Sequence, residues 1–394
     1  MQKIILFCLI GTLTQVAEQA SPYVPSSSDQ VLEKLPFSLQ SSANPISILH
    51  KQLTANPNDL PLATKLAKLY IEQSRIEGDP RYLGYAQAAL SPWWSLQKPP
   101  VEVQVIRATL LQSTHQFDAA LADLESVLKL DSANGQAWIT RATILQVQGK
   151  YAQAMESCEQ LKPLAPALIT LTCISNIQNL NGQAESSYQM LKTAFDQDTD
   201  ENTEKNTGVD IWVLTLLAEM SNRLGKYKEA EDYFTKAIAL ENTDSYLLGA
   251  YSDFLLDQQR PQEVIKLLKN KTNIDALLLR YAQALQIVDV GQAKKHTEHL
   301  KQNFAAAALR KDTVHLREQS RFELKLMHNP ARALTLAKNN WQTQKEPADI
   351  RVYLEAALGA KNKAELQIIK KWIANNKLQD ATVNQLILNN GLIK

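Results

Sequence analysis

Ile106–Gln112 reads IRATLLQ, and Thr140–Gln146 reads TRATILQ at an offset of 34 residues. The correspondence extends beyond these segments, since Phe117 matches Tyr151 at the same offset. A repeat of this length is typical of stacked helix–turn–helix units, each of which buries its apolar face only against its neighbours. The stretch therefore predicts an all-α fold, a right-handed α-solenoid of stacked helix pairs.

The second copy indicates how one unit folds. Trp138 and Leu145 lie at helical spacing on a first helix, which Gly149 ends because glycine tolerates the positive φ of a C-terminal cap. A second helix begins at Tyr151, and Pro166 stops the unit because proline cannot continue a helix.

This order of Trp, small residue, Gly, aromatic residue, Ala and Pro resembles the tetratricopeptide repeat. The resemblance is good in 101–194 and 209–242 and weaker elsewhere. Roughly residues 56–166 also resemble uncharacterised exported bacterial tetratricopeptide proteins. The segments that carry this second resemblance are Gly78–Trp94, Arg107–Gln112, Phe117–Leu124 and Thr140–Ala154. It implies a helical scaffold and no particular activity.

Composition excludes several classes of function. The 394 residues carry a net charge of +1, without the clustered Lys and Arg that nucleic-acid binding needs. The 12 glycines form no phosphate-binding loop and no nucleophile elbow. His296 and His299 lie on one predicted helix, but the HExxH order is missing, so zinc is not expected. We expect a protein that is not an enzyme and has no cofactor and no metal.

The chain divides into four parts. The sequence predicts a signal peptide over 1–20, because Lys3 precedes a short apolar run. An uncleaved amphiphilic N-terminus is the alternative. The other three parts are a flexible Ser- and Pro-rich segment (21–45), the main array (46–242, with an acidic insertion at 196–206) and degenerate repeats ending in a capping helix (243–394). We expect an exported, periplasmic or secreted bacterial protein with no integral membrane segment in the mature chain.

Two cysteines remain after the predicted signal, Cys158 and Cys173. They flank the turn between two antiparallel helices and would lie opposite each other. An oxidising compartment would favour a disulfide there. Two buried thiols that fill helix seams are the equal alternative, and spacing alone does not decide between them.

Arg107 and Arg141 occupy matching places on the first helix of their repeats, where an apolar side chain is usual. A buried guanidinium needs carboxylate or carbonyl partners, so ion pairs between repeats are the favoured interpretation. A partner's carboxylate gripped by two hydrogen bonds is the alternative. A ligand-binding or enzymatic site around Trp93, Trp94 and these two arginines is a further, weaker hypothesis.

The register of the repeats predicts a neutral, amide-rich concave groove that binds an extended peptide or loop of another protein, with Trp212 or Tyr246 as an anchor. A structural subunit of an envelope assembly is the alternative function, and the sequence leaves the oligomeric state open. The predicted groove residues are Val105, Thr109, Gln112, Ile139, Thr143, Gln146, Thr172, Asn176, Asn179, Trp212, Thr215, Glu219, Tyr246 and Asp253.

Overall fold

A computed structural model describes residues 44–198, 207–240, 243–309 and 313–391. Every regular element within these ranges is a helix, which confirms the predicted all-α solenoid. The predicted signal peptide lies outside the described residues. So do positions 21–43 of the Ser- and Pro-rich segment and positions 199–206 of the acidic insertion.

The helices follow one another with short connections. They are α1 (Pro45–Ala55), α2 (Leu60–Glu77), α3 (Arg81–Ala89), α4 (Ser91–Trp94), α5 (Val101–Ser113), α6 (Phe117–Leu130), α7 (Gly135–Val147), α8 (Tyr151–Glu159), α9 (Ala167–Leu180), α10 (Ala184–Gln197), α11 (Thr207–Arg223), α12 (Tyr227–Ile238), α13 (Ser245–Asp257), α14 (Pro261–Leu268), α15 (Asp275–Val288), α16 (Val290–Leu309), α17 (Leu316–Lys325), α18 (Pro330–Asn340), α19 (Pro347–Gly359), α20 (Lys363–Asn376) and α21 (Ala381–Asn389).

Nine of the connections join two helices that pack together as one repeat. Repeats 1 to 9 are, in order, the pairs α2/α3, α5/α6, α7/α8, α9/α10, α11/α12, α13/α14, α15/α16, α17/α18 and α19/α20. Helix α1 packs on repeat 1, and α21 packs on α11 and α19. The predicted capping helix is therefore present as α21, and Asp380 caps its first turn by accepting from the Val383 amide at 3.0 Å.

The turn between the two helices of each repeat forms one edge of the solenoid, here called the lower edge. In eight of the nine repeats this turn contains a residue with positive φ, the conformation that closes a helix C-terminus. These residues are Gly78, His115, Gly149, Gly182, Gly225, Gln259, His328 and Lys361. Repeat 7 is the exception, because Asp289 alone joins its two helices with φ −150°.

The turns between consecutive repeats form the opposite, upper edge, and the two edges meet. Gly78 in the lower edge of repeat 1 contacts Ile274, which precedes repeat 7. In the same way, the Lys345 amide before repeat 9 donates to the Val147 carbonyl of repeat 3 at 2.7 Å. One superhelical turn therefore takes about six repeats, and the second turn packs on the first. The sequence predicts a curved ribbon of repeats. In the structure this ribbon continues into a second superhelical turn, which packs against the first.

An apolar core continues across this contact between turns. A single cluster of buried side chains joins repeats 3 and 4 to repeats 8 and 9, and includes Leu145, Ile177, Trp341 and Tyr353. The Trp341 and Tyr353 rings lie 5.9 Å apart between centroids. Burying aliphatic and aromatic surface at this seam stabilises closure, because each fully buried large side chain contributes about 1.5–3 kcal/mol.

Candidate functional site

The contact between lower and upper edges begins at repeat 6, since the end of α2 in repeat 1 contacts the start of α13 in repeat 6. At this contact the Ser245 hydroxyl donates to the Arg75 carbonyl at 3.5 Å. Because the first helix of each repeat faces the superhelix axis, the closure turns the predicted open groove into the wall of a central lumen. The lumen has two chemically different ends.

At the upper edge of the first turn the lumen contains a cavity of about 880 Å³. Its wall comes from α2, α5, the turn before repeat 3 and the start of α11. The aliphatic lining residues are Ile71, Ile76, Val101, Val105, Ile106 and Ile211, and the charged ones are Lys68, Glu72, Arg75, Glu102, Asp131 and Asp244. The cavity is large enough for a few side chains of a bound segment, and its wall combines aliphatic residues with an equal number of charged residues.

Several charged groups in this cavity have no partner among the described residues. Lys68, Glu72 and Arg75 follow one another at helical spacing on α2, and Glu102 faces them from α5. None of the four forms an ion pair within the described ranges, whereas Asp131 and Asp244 accept hydrogen bonds in the turns that they cap. Exposed unpaired charges next to aliphatic surface are available to a bound segment.

At the other end the lumen is filled by paired charges. Asp253 accepts from Arg280 at 2.7 Å and pairs with Arg321 at 2.5 Å. Asp257 in repeat 6 holds Arg351 in repeat 9 through two contacts of 2.6 Å, which bridges the two superhelical turns. These pairs neutralise one another, so this end of the lumen is closed by the protein's own side chains.

The electrostatics of the paired end follow from burial and from the arginines. Burial opposes the ionisation of Asp253, but Arg280 and Arg321 outweigh it and lower the pKa of Asp253 well below its usual range. Burial instead raises the pKa of Glu219, despite Arg223 nearby. Asp253 therefore stays charged in its pairs, whereas Glu219 binds a proton more readily than an exposed glutamate.

The predicted groove residues are distributed over both ends. Val105 and Thr109 line the open cavity. Tyr246 lies at the paired end and donates to Glu219 at 2.9 Å. Its side chain exposes 55% of its surface, but this surface faces the lumen, and burial there raises the pKa of Tyr246 well above its usual value.

Other predicted groove residues join neighbouring repeats or are partly buried. Asn176 donates to Gln146 at 3.0 Å, which joins repeats 3 and 4. Asn179 is fully buried and accepts from Arg223 at 2.8 Å. Gln112, Ile139, Thr143 and Trp212 are half-buried. The structure thus brings Val105 and Thr109 into one binding-sized space and places Asn176 and Asn179 in contacts between repeats.

Arg107 and Arg141 point away from the lumen, toward the second helix of their own repeats. Arg107 donates to both carboxylate oxygens of Asp123 and to the Trp94 carbonyl. Arg141 donates to the Ser157 hydroxyl and lies over the Trp138 ring at 5.9 Å. The favoured interpretation, an ion pair between repeats, needs correction, because the carboxylate partner of Arg107 lies within the same repeat.

Cys158 and Cys173 form a disulfide with a Cα–Cα distance of 5.7 Å. Trp93 and Trp94 are both half-buried against the core of repeat 1, so neither is fully exposed. Arg107 already contacts Asp123 and the Trp94 carbonyl, so it is not available to bind a ligand at the hypothetical site around these tryptophans.

Sequence reasoning missed the paired end of the lumen. Arg280, Arg317, Arg321 and Arg351 lie in repeats 7 to 9, where the consensus residues that set the register are lost. The residue types of the lower-edge turns do carry a signal, although it concerns the packing of the two superhelical turns and not the paired charges. The positive-φ residue is Gly in four of repeats 1 to 5, but Gln259, His328 and Lys361 after that. The change from glycine to larger residues coincides with the end of the part of the lower edge that the second superhelical turn covers.

In the described ranges, no three His, Cys, Asp or Glu side chains come together in a way that could hold a metal ion. None of the helices there combines the length and the hydropathy that crossing a bilayer would need.

Comparison with known proteins identifies one repeat directly. Residues 213–244 match the family model of the tetratricopeptide repeat, which confirms the resemblance seen in the sequence. No curated protein matches the chain.

Among solved structures, the chain is similar to a tetratricopeptide repeat protein from Parabacteroides merdae, with TM-score 0.37 and 12% identity over 65% of this chain and 98% of that one. It is also similar to the APC/C hetero-tetramer Cut9–Hcn1, with TM-score 0.46 and 12% identity over 81% of this chain and 60% of that one. A monomeric mutant of IFIT1 with Gppp-AAAA gives TM-score 0.41 and 13% identity over 90% and 86%. Scores and identities this low say nothing about ligands or partners.

Proposed function

Since the chain is a tetratricopeptide repeat protein, we propose that it is a non-enzymatic scaffold whose open cavity binds an extended segment of another protein. Proteins of this repeat commonly act as interaction scaffolds. The observation that carries the proposal is the 880 Å³ cavity at the upper edge of the first turn, lined by Val105 and Thr109 beside unpaired charges.

The lining indicates the chemistry of the bound segment. Four carboxylates and two cations surround the cavity, so a segment with at least one Lys or Arg is favoured. Glu72 and Glu102 are the residues that would pair with it. The aliphatic wall formed by Ile71, Ile76 and Ile211 would bury an aliphatic or aromatic side chain of the same segment.

We also propose that the protein works outside the cytoplasm, in the cell envelope or beyond it. The disulfide between Cys158 and Cys173 supports this location, because such bonds persist in oxidising compartments and are rare in the cytosol. Thiol alkylation of whole cells before and after reduction tests the proposal. Labelling of both cysteines without prior reduction would contradict it.

Site-specific photocrosslinking tests the cavity directly. A photoreactive residue at Thr109 should form an adduct with the partner, whereas one at Leu388, which is exposed on α21 and does not line the cavity, should not. Ile76→Asp should abolish the Thr109 adduct by placing a charge against the apolar part of the segment. Ile368→Asp is the matched control, because Ile368 is an exposed isoleucine on α20. Equal adducts at Thr109 and Leu388 would contradict binding in the lumen.

A further inference from the structure

The lower edge of the solenoid is covered in some repeats and open in others. In repeats 1, 3, 4 and 5 its glycines contact the second superhelical turn, at Ile274, Lys345, Lys377 and Ala381. In repeats 6 to 9 the same edge belongs to the last turn, and no described residue continues the superhelix beneath it. This open lower edge is a surface of the protein that the lumen does not use.

The open lower edge carries an apolar tip at repeat 7. Ile287, Val288 and Val290 expose 66%, 45% and 49% of their surfaces around the one-residue turn at Asp289. Met327, in the corresponding turn of repeat 8, exposes 38%. Three exposed aliphatic residues within four positions are unusual for a solvated turn and mark a site of contact with something apolar.

Basic residues lie beside this tip and further along the same edge. Lys294 and Lys295 lie one turn into α16, directly after the tip, and Lys361 and Lys363 lie at the open turn of repeat 9. All four are exposed, and none forms an ion pair within the part of the chain that the structure describes. The acid at the tip, Asp289, is engaged with α16, because it accepts from the Gln292 amide at 3.1 Å.

We propose that the open lower edge of repeats 7 to 9 docks on the surface of an anionic lipid bilayer. The aliphatic tip enters the boundary between headgroups and acyl chains, and the lysines bind lipid phosphates around it. A second copy of this chain fits less well. A second copy would have to pack against this edge as the second superhelical turn packs against the first. Glycine occupies four of the five lower-edge turns that are covered in this way, whereas the larger residues Gln259, His328 and Lys361 occupy the open ones.

An acidic protein is also a less suitable occupant. It would satisfy the lysines, but it would leave the projecting aliphatic tip in water unless it offered a matching pocket. A bilayer accepts the tip without such a pocket, and it accounts for aliphatic and basic residues sharing one edge. Docking is peripheral, in keeping with the absence of a membrane-crossing helix in the described ranges.

Co-sedimentation with lipid vesicles tests the proposal. The protein without residues 1–20, which lie outside the described fold, is mixed with vesicles of pure phosphatidylcholine or of equal parts phosphatidylcholine and phosphatidylglycerol. We expect it to sediment with the anionic vesicles only, and less well as salt is added. The double variants Ile287→Asp/Val290→Asp and Lys294→Glu/Lys295→Glu should each weaken binding by at least about tenfold.

Matched controls separate docking from general surface effects. Leu130→Asp and Lys129→Glu change exposed residues at the end of α6, beside the upper edge, and should bind within about twofold of the unmodified protein. All substituted positions are exposed, so thermal unfolding should be unchanged and loss of fold cannot produce the result. Failure of the unmodified protein to bind anionic vesicles would overturn the proposal, as would undiminished binding by both double variants. Capture of an acidic soluble protein by this edge, without vesicle binding, would also overturn it.

Discussion

Gly182 lies against Lys377, so that a Cβ built on the glycine would come within 2.9 Å of the lysine Cβ. The two residues belong to repeats 4 and 9, and their contact is one of the points where the second superhelical turn packs on the first. Closure of this kind converts a concave groove into a lumen, and it therefore decides which groove residues can reach a partner.

Replacing Gly182 with alanine should destabilise the protein through two effects. Its φ of +83° is unfavourable for alanine, and the new methyl group would press on a Cβ that cannot move without its backbone. We expect a loss of about 2–3 kcal/mol in the free energy of unfolding, measured in urea. Gly225→Ala is the matched control, because its φ is +74° but its Cβ would lie 3.7 Å from Ala381. A control loss as large as that at Gly182 would mean that backbone strain alone explains the effect.

The pair formed by Asp257 and Arg351 should behave as a coupled link between the two turns. The substitution Arg351→Ala leaves the largely buried Asp257 carboxylate without its cation. It should lower the free energy of unfolding by about 1–3 kcal/mol. Asp257→Asn should cost a similar amount, and the double variant less than the sum. Additive losses in this double-mutant cycle would show that the two side chains do not stabilise closure together.

Asp349 gives the prediction for pH. Burial, together with Glu346, outweighs Arg317 and raises the pKa of Asp349 to about 6. The folded state therefore binds a proton that the unfolded state has released above pH 3.8, so this contribution is complete below pH 3.8 and is lost as pH rises through 6. Asp349→Asn mimics the protonated form. Its stability relative to the unmodified protein should improve by about 2 kcal/mol between pH 4.5 and 7.5.

The slope with pH, and not the absolute offset, tests this prediction. Asparagine keeps the acceptor for Asn340 but loses the hydrogen bond that the Glu346 amide donates to the carboxylate, which adds a constant penalty. Parallel stability curves for the two proteins across this pH range would mean that the Asp349 carboxyl titrates normally.

The disulfide should contribute measurably to stability. Cys158 and Cys173 close a loop of 15 residues between buried sulfurs in repeats 3 and 4. Reduction should lower the free energy of unfolding by about 3 kcal/mol. A Cys158→Ala/Cys173→Ala variant should show the same loss and no further response to reductant. An unmodified protein with equal stability in both redox states would contradict this assignment.

Local features of the fold followed from the sequence, and distant contacts did not. The match between Arg107 and Arg141 set the repeat length, and Gly149 marked a helix end that the structure confirms with φ +73°. Closure escaped prediction because it depends on contacts such as Gly182 with Lys377, which lie far apart in the chain and follow no periodicity. The sequence explains glycine at a helix end by the positive φ that glycine tolerates. The structure adds a second reason, because the second superhelical turn packs closely against several of these glycines.

The candidate site could be predicted only in part, because it also depends on contacts between residues that lie far apart in the chain. Val105 and Thr109 line the cavity, and helical register alone is enough to place them on the inner face. Glu72 and Ile211 were not identified as members of one cavity, since they come together only when repeat 1 closes on repeat 6. Asn179 was assigned to a partner, but Arg223 of the next repeat already uses its amide oxygen.

The distance between Asn181 and Gln379 tests the closed superhelix most directly. Both residues are exposed and adjoin the contact between Gly182 and Lys377. In the protein without residues 1–20, which removes Cys8, the two remaining cysteines are bonded to each other, so a spin label can be placed at each position. Pulsed electron resonance on the dilute protein should give one narrow distribution at the short end of the measurable range. A long, broad distribution would show an open ribbon and would contradict the lumen.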